Sequence, residues 1–262
     1  MTKIGFVGIG KMATAIIAGL DKEKYDVQIS SRDKAETTEK AAELSVTAAA
    51  SHQELINDSD IIILSVKPQV LPGVLADLDI PTGKTLVSIA AGLTLDKLAE
   101  LAHTDKQAII RIMPNINATI GQSTSAIVGN AYVSGETYDF VKGIFANVGS
   151  VHDIAEKDFS TFAAIAGSSP AYIYMFIDAM SRAAVLQGLP KDTATKIVAE
   201  TVAASANMLL SSGENPWSLV DKVSSPGGTT VAGVVSLEHD GFVTAVIDAI
   251  TATVEKDKAL GK

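Results

Sequence analysis

Lys3-Ile4-Gly5-Phe6-Val7-Gly8-Ile9-Gly10-Lys11-Met12-Ala13 decides the fold. Lys3 to Val7 is a short apolar run of strand length, and Lys11 to Leu20 reads as a helix. Between them stands G-x-G-x-x-A. In a strand–turn–helix unit the first glycine makes the tight turn and the second lets the backbone approach a pyrophosphate. The small third residue lets helix and strand pack closely. The free N–H groups of the helix N-terminus then face the phosphates. The motif alone is weak, and a structural glycine turn would give the same letters. Its place after one apolar run and before a helix makes dinucleotide binding the better reading.

The pattern continues outward. Val27 to Ser30 reads as a second strand and Asp33 to Leu44 as a second helix. Asp60 to Val66, Thr85 to Ile89 and Ala108 to Ile112 are β-branched runs without polar alternation, as expected for strands buried on both faces. Helical segments lie between them, so the first part reads as a doubly wound, mostly parallel α/β sheet, a Rossmann domain over 1–155. From Glu156 the chain is Ala-rich and strand-free, punctuated at Gly167-Ser168-Ser169-Pro170, Gly188-Leu189-Pro190, Gly213-Glu214-Asn215-Pro216 and Ser225-Pro226-Gly227-Gly228. Each is read as a helix stop and restart. An all-α domain over 156–262 follows.

The bulk numbers agree. Among 262 residues, 47% are hydrophobic and 19% charged, enough to bury a large core. A net charge of -9 argues against a nucleic-acid groove. The absence of cysteine excludes thiolate catalysis and Cys-ligated zinc, and no metal is expected. Cytoplasmic localisation fits that composition and an N-terminus that runs straight into a strand. The most membrane-like stretch, Ala171 to Leu186, carries Asp178 and Arg182 at the spacing of an intrahelical ion pair. It reads as a helix buried in protein, with no membrane partner.

The second strand ends Ser30-Ser31-Arg32, without the acid that bonds an NAD ribose. Ser31 and Arg32 suit a 2′-phosphate, so NADPH is favoured, with NADH possible. The same residues also fit the plain start of the next helix. Three further strand ends face the expected ligand edge: Ser65-Val66-Lys67-Pro68, Ala90-Ala91-Gly92 and Met113-Pro114-Asn115. Lys67 reads equally as a surface lysine, and Asn115 equally as an Asx-turn residue. The Ala90-Ala91 turn lacks bulk, leaving room for a flat ring. In the helical half, Val223-Ser224-Ser225-Pro226-Gly227-Gly228-Thr229-Thr230 places free N–H groups and hydroxyls before a helix, suited to a carboxylate or to a simple capped turn. His52, His103, His152 and His239 are all expected to be surface or structural, since none falls at a ligand-facing strand end. Without a placed acid, a substrate with an already protonated C=N bond suits this chain better than a ketone.

These segments together resemble the pyrroline-5-carboxylate reductase family. The matching pieces are Ile-Gly-Phe-Val-Gly-Ile-Gly-Lys-Met at 4–12, Ser-Val-Lys-Pro at 65–68, Met-Pro-Asn at 113–115, Ser-Pro-Ala-Tyr at 169–172 and Val-Ser-Ser-Pro-Gly-Gly-Thr-Thr at 223–230. The resemblance implies reduction of 1-pyrroline-5-carboxylate to L-proline, the last step of proline biosynthesis. It implies NADPH at Gly8, Ile9, Gly10, Lys11, Met12, Ser31, Arg32, Ser65, Val66, Lys67 and Pro68, with the nicotinamide near Ala90, Ala91 and Asn115. It places the substrate carboxylate on Gly228, Thr229 and Thr230, with Thr230 at the ring nitrogen and Lys67 as the second catalytic candidate. A homodimer formed by the helical domain is implied, and in many relatives a pentamer of dimers. Ser168 departs from the Asn or Gly common in relatives, which weakens any role there. The alternatives are a β-hydroxyacid dehydrogenase-like reductase, which would want a catalytic lysine in the helical half, and a non-catalytic NADPH-binding scaffold, which would lack the second ligand loop.

Overall fold

The computed structural model describes residues 1–103 and 106–260. In chain order the first part runs β1 (Lys3–Val7), α1 (Lys11–Gly19), β2 (Asp26–Ser30), α2 (Lys34–Leu44), β3 (Thr47–Ala48), α3 (His52–Asp58) and β4 (Ile61–Leu64). It continues with α4 (Leu71–Ala76), β5 (Thr85–Ser88), α5 (Leu95–Leu101), β6 (Ala108–Met113), β7 (Ser123–Gly129), α6 (Gly135–Ala146) and β8 (Gly149–Asp153). The strands form one sheet in the order β3-β2-β1-β4-β5-β6-β7-β8, parallel throughout except for the β6–β7 pair.

Continuous apolar strands are explained by burial on both faces. Along β4, Ile61 and Ile63 join the cluster holding Ile4, Phe6, Ile16, Ile17 and Phe145, whereas Ile62 and Leu64 join Leu55, Ile56 and Leu71 on the opposite side. Alternate residues thus serve opposite cores, and no position is left for a polar side chain. At Gly5 the packing is closest: a Cβ there would lie 2.3 Å from Leu55 Cδ2 and from Ser59 Oγ.

Strand order reverses between β1 and β4, the switch point at which open α/β sheets leave a crevice beyond their carboxyl ends. Two strands that the sequence pattern did not announce, β7 and β8, extend the sheet on the far side.

After Asp153 no strand occurs among the described residues. The elements are a 3-10 turn (Glu156–Asp158), α7 (Phe159–Phe162), a π-helical segment (Ala163–Ser168), α8 (Ser169–Leu186), α9 (Lys191–Ser212), α10 (Pro216–Val223), α11 (Thr229–His239) and α12 (Phe242–Leu260). The expected helix stop at Gly167-Ser168-Ser169-Pro170 is corrected: the chain stays helical from Phe159 to Leu186 by widening into a π turn. Pro170 falls in the first turn of α8, where a missing N–H is tolerated. The other three punctuation points do separate helices.

The chain divides into two compact units, Met1–Gly167 with Val254–Lys262, and Ser168–Thr253. Within the second, α8 packs on α9. Asp178 pairs with Arg182 on its own helix (2.5 Å) and with Lys191 (2.7 Å). Lys191 and then Arg182 hold the Asp178 carboxyl below the usual range. The expectation that this helix is buried is not met within one chain: only Ser181 is buried, and Met175 and Leu186 are 71% and 83% exposed. Its apolar residues run round the helix, and α9 covers one side. Among the described residues no single helix is long and apolar enough to cross a membrane.

Candidate active site

A cleft of about 480 Å3 opens at the switch point, lined by Gly8, Ile9, Gly10, Ser31, Arg32, Asp33, Glu36, His52, Ser65, Val66, Lys67, Val70 and Val74. Residues following β1, β2 and β4 therefore meet in one depression. Gly8 has φ +95°, and a Cβ on it would lie 2.7 Å from Val66 Cγ1. Only glycine suits that turn. Its N–H donates to Ser30 O (2.8 Å), and the Ser65 hydroxyl donates to Gly8 O (2.7 Å), so neighbouring strand ends hold the loop in shape. Gly10 caps α1 with no side-chain bond, and the space its Cβ would occupy is open. Ala13 is fully buried, as the third small residue of the motif requires.

This cradle fits a dinucleotide pyrophosphate: an open glycine edge beside first-turn amides that have no partner inside the helix. Lys11 and Met12 do not line the cleft, but their backbone N–H groups belong to that turn.

On the other wall Ser31 N donates to Thr37 Oγ1 (3.0 Å), and Ser31 Oγ donates to Asp33 O (2.9 Å). The Asp33 carboxylate accepts from Ala35 N (2.8 Å) and Glu36 N (3.2 Å), so Asp33, and not Ser31 or Arg32, starts α2. The Asp33 carboxylate, next in sequence to Arg32, is thus engaged by helix amides. Arg32 is exposed and makes no ion pair or side-chain hydrogen bond among the described residues. Lys67 is likewise exposed on the cleft wall.

His52 is half-buried and bonded within the fold, as a structural histidine is, but it also faces the cleft. It lines the cleft, with Nδ1 2.7 Å from Ser30 Oγ, and burial holds its pKa below the ordinary value. Ser51 and Glu54 form a capping arrangement around it: Ser51 Oγ accepts from Glu54 N (3.1 Å), and Glu54 Oε2 accepts from Ala50 N (3.1 Å). That Ser-x-x-Glu spacing signals the helix start that carries His52, but not its place at the cleft. Glu36, Val70 and Val74 had no comparable signal.

Pro68, Ala90, Ala91 and Asn115 lie outside the cleft lining. Ala90 is buried against the core while Ala91 is exposed. The loop carrying both is pinned at its far end, where Leu95 N donates to Glu156 Oε1 (2.7 Å). The same oxygen accepts from Arg111 (2.6 Å), whose guanidinium stacks 4.5 Å above the Phe159 ring. Asn115 is buried and forms the Asx turn: its Oδ1 accepts from Asn117 N (3.1 Å).

In the second unit, Gly228 caps α11 without a side-chain bond. Gly227 has φ +69°, and Gly228 N donates to Ser225 O (3.0 Å), so the loop is tightly turned. A Cβ on Gly228 would lie 2.5 Å from Ser225 Oγ. Thr229 and Thr230 are exposed in the first turn. Ser224 Oγ is buried with no hydrogen-bond partner among the described residues.

Comparison with known proteins gives this arrangement a family. Residues 156–260 match the model for pyrroline-5-carboxylate reductase dimerisation. Residues 3–92 match the model for NADP oxidoreductase, coenzyme F420-dependent. The pyrroline-5-carboxylate reductase of Escherichia coli (strain K12) is 41% identical over 268 residues, covering 99% of this chain and 98% of its own. The chain belongs to the pyrroline-5-carboxylate reductase family. Family members also share its fold. The crystal structure of the 1-pyrroline-5-carboxylate reductase of Streptococcus pyogenes superimposes with a TM-score of 0.92 at 45% identity, covering 98% of each chain. That of the Plasmodium falciparum pyrroline carboxylate reductase, with NADP bound, gives 0.89 at 32% identity, covering 100% of this chain and 98% of its own. The chain is accordingly an oxidoreductase that uses a nicotinamide cofactor and carries the family's dimerisation domain.

Proposed function

We propose that this chain reduces 1-pyrroline-5-carboxylate to L-proline, the last step of proline biosynthesis, in the cytoplasm, with NADPH favoured and NADH also accepted. The observation that carries the reading is the gathering of Gly8-Ile9-Gly10, Arg32 and Ser65-Val66-Lys67 in one cleft. It occurs in a chain aligned end to end with proteins of that name.

In this proposal the glycine turn and the amides of Lys11 and Met12 hold the pyrophosphate. Ser31 and Arg32 hold the 2′-phosphate, and Ser65, Val66, Lys67 and Pro68 line the adjacent wall. Ala90, Ala91 and Asn115 border the nicotinamide. When bound, the cofactor supplies a hydride to the C=N carbon. The chain's own work is placement. The N–H groups and hydroxyls at Gly228, Thr229 and Thr230 hold the carboxylate, and the Thr230 hydroxyl hydrogen-bonds the ring nitrogen. Lys67 adds positive charge to the cofactor wall. No strong acid is needed, because a protonated imine already carries its proton.

The deciding assay follows NADPH oxidation with pyrroline-5-carboxylate and, in parallel, NADP reduction with 3-hydroxyisobutyrate. Turnover of the hydroxy acid alone would favour the β-hydroxyacid dehydrogenase reading, and turnover of neither would favour a scaffold. In the same assay Arg32→Ala is expected to raise the KM for NADPH about tenfold, by loss of one charge-assisted contact, with little change for NADH. Equal effects on both cofactors would remove Arg32 from 2′-phosphate recognition.

Self-association as a homodimer, and as a pentamer of dimers, is part of the proposal. Trp217, Leu210 and Ile247 are exposed along with Met175 and Leu186, more apolar surface than a soluble monomer ordinarily leaves in contact with water. Light scattering of the full chain is expected to give at least twice the single-chain mass, and a single-chain mass would refute it.

A further inference from the structure

Glu36 lines the cofactor cleft, and none of the proposed roles uses it. It stands three residues after Asp33, the cap of α2. From that position a glutamate commonly reaches back to the backbone N–H of the cap. Here that bond is taken. The Asp33 N–H donates to Ser31 Oγ (3.2 Å), and the Asp33 carboxylate is itself occupied by Ala35 N and Glu36 N. The glutamate in the same position on α3 does reach back, with Glu54 Oε2 accepting from Ala50 N. Glu36 is thereby relieved of the usual task. Its carboxylate is exposed and makes no hydrogen bond or ion pair among the described residues.

The charges around it sharpen the point. Besides Glu36, the charged side chains lining the cleft are Arg32, Asp33 and Lys67. Asp33 is engaged by helix amides. Arg32 stands four positions before Glu36, the spacing at which an acid and a base pair along a helix, but it precedes the cap and lies off the helix. Glu36 pairs with neither Arg32 nor Lys67. His52 brings no charge at neutral pH, because burial holds its pKa below the ordinary value. The wall that follows β2 thus presents one unpaired cation and one unpaired carboxylate. A carboxylate on this wall of a dinucleotide cleft accepts from the adenosine ribose hydroxyls of an NAD-type cofactor. Toward a 2′-phosphate it acts as a like charge. The end of β2 lacks that acid, and the first turn of α2 supplies one.

We propose that Glu36 sets the balance between the two cofactors, working against Arg32. Its carboxylate bonds the ribose of NADH and opposes the 2′-phosphate of NADPH, which keeps NADH in use by a chain that favours NADPH. The inference rests on the proposed reading of Arg32 as the partner of the 2′-phosphate.

The test is direct binding of NADPH and of NADH to the full-length protein, followed by nicotinamide fluorescence, for wild type, Glu36→Gln and Glu39→Gln. Glutamine keeps the length of the side chain, and no internal bond is lost. Glu39→Gln removes the same charge from the same helix, three positions further on and outside the cleft lining. Glu36→Gln is expected to tighten NADPH about two- to fivefold, the effect of one nearby charge in a largely aqueous dielectric. It is expected to weaken NADH about threefold, as a charged acceptor becomes a neutral one. The gain for NADPH should shrink at about 0.5 M KCl, where the Debye length falls to roughly 4 Å. Glu39→Gln should leave the balance as in wild type. An NADPH-to-NADH affinity ratio that Glu36→Gln leaves within about twofold of wild type would overturn the proposal, as would an equal rise from Glu39→Gln or an equal change for both cofactors. Wild-type protein that binds both cofactors but leaves pyrroline-5-carboxylate unreduced would sink the functional reading alone, and the titrations would still decide the role of Glu36.

Discussion

Glu156→Ala is expected to destabilise the protein by about 3–5 kcal/mol, the usual result of removing one partner from a buried ion pair. The Arg111 side chain is only 7% exposed, so its charge would remain inside with the Phe159 ring as its neighbour. Leu95 N would lose its acceptor as well. Glu156 is 30% exposed, so water entering the gap would solvate part of Arg111 and draw the cost toward the lower end of that range. Urea unfolding checks this. Glu156→Gln, which keeps an acceptor for Leu95 N, should lie between wild type and Glu156→Ala. Replacing both partners together, Arg111→Met with Glu156→Leu, should recover most of the loss, since no buried charge is then left unpaired. A cost below about 1 kcal/mol for Glu156→Ala would place the pair among ordinary surface salt bridges. The bond also has a local consequence. It pins the N-terminus of α5 and with it the loop through Ala90 and Ala91, which the proposal sets beside the nicotinamide.

The parts of the fold legible in sequence are those where burial leaves no choice. β1, β4, β5 and β6 have residues in the cores on both faces, so their apolar runs stand out, whereas β2 alternates, with only Val27 and Ile29 in a core. β8 reads Gly-Ser-Val-His-Asp and lies at the sheet edge, half in solvent, so no run marks it. β7 opens with Ser-Thr-Ser, whose hydroxyls answer local hydrogen-bond needs: Ser123 Oγ lies 3.1 Å from Ser125 Oγ and accepts from Asn115 N. Such residues read as a loop unless the partner strand is known. The same asymmetry governs the site. The glycine motif is visible because a positive φ and a close approach demand glycine at Gly8. His52 reaches the cleft through its bond to Ser30, across 22 positions, and no local pattern encodes that contact. The helical punctuation misled at one point only, Gly167 to Pro170, because the chain widens there into a π turn and Pro170 falls in the first turn of α8, where its missing N–H is tolerated.

Thr230→Val is expected to lower kcat by about 10- to 150-fold, with little change in NADPH binding. The substitution is well isolated. Thr230 lies in the first turn of α11, is exposed, and its hydroxyl makes no hydrogen bond among the described residues. Valine keeps the branched shape, so no internal bond and little packing are lost, and α11 should remain folded. What disappears is a hydroxyl beside the proposed carboxylate cradle. One hydrogen bond involving a charged group is worth roughly 1.5–3 kcal/mol, which gives the stated range at about 1.36 kcal/mol per decade. Removing a true general acid would cost about 10²- to 10⁴-fold. The two ranges overlap, so the size of the loss does not separate the roles, but the pH profile does. If Thr230 only bonds the nitrogen, the rate limb follows protonation of the substrate imine, and its midpoint stays where it is in the variant. If Thr230 delivered a proton, the limb would shift or vanish. A kcat left intact by Thr230→Val would refute any role at the ring nitrogen and leave the loop with carboxylate binding alone, carried by the backbone N–H groups that open α11.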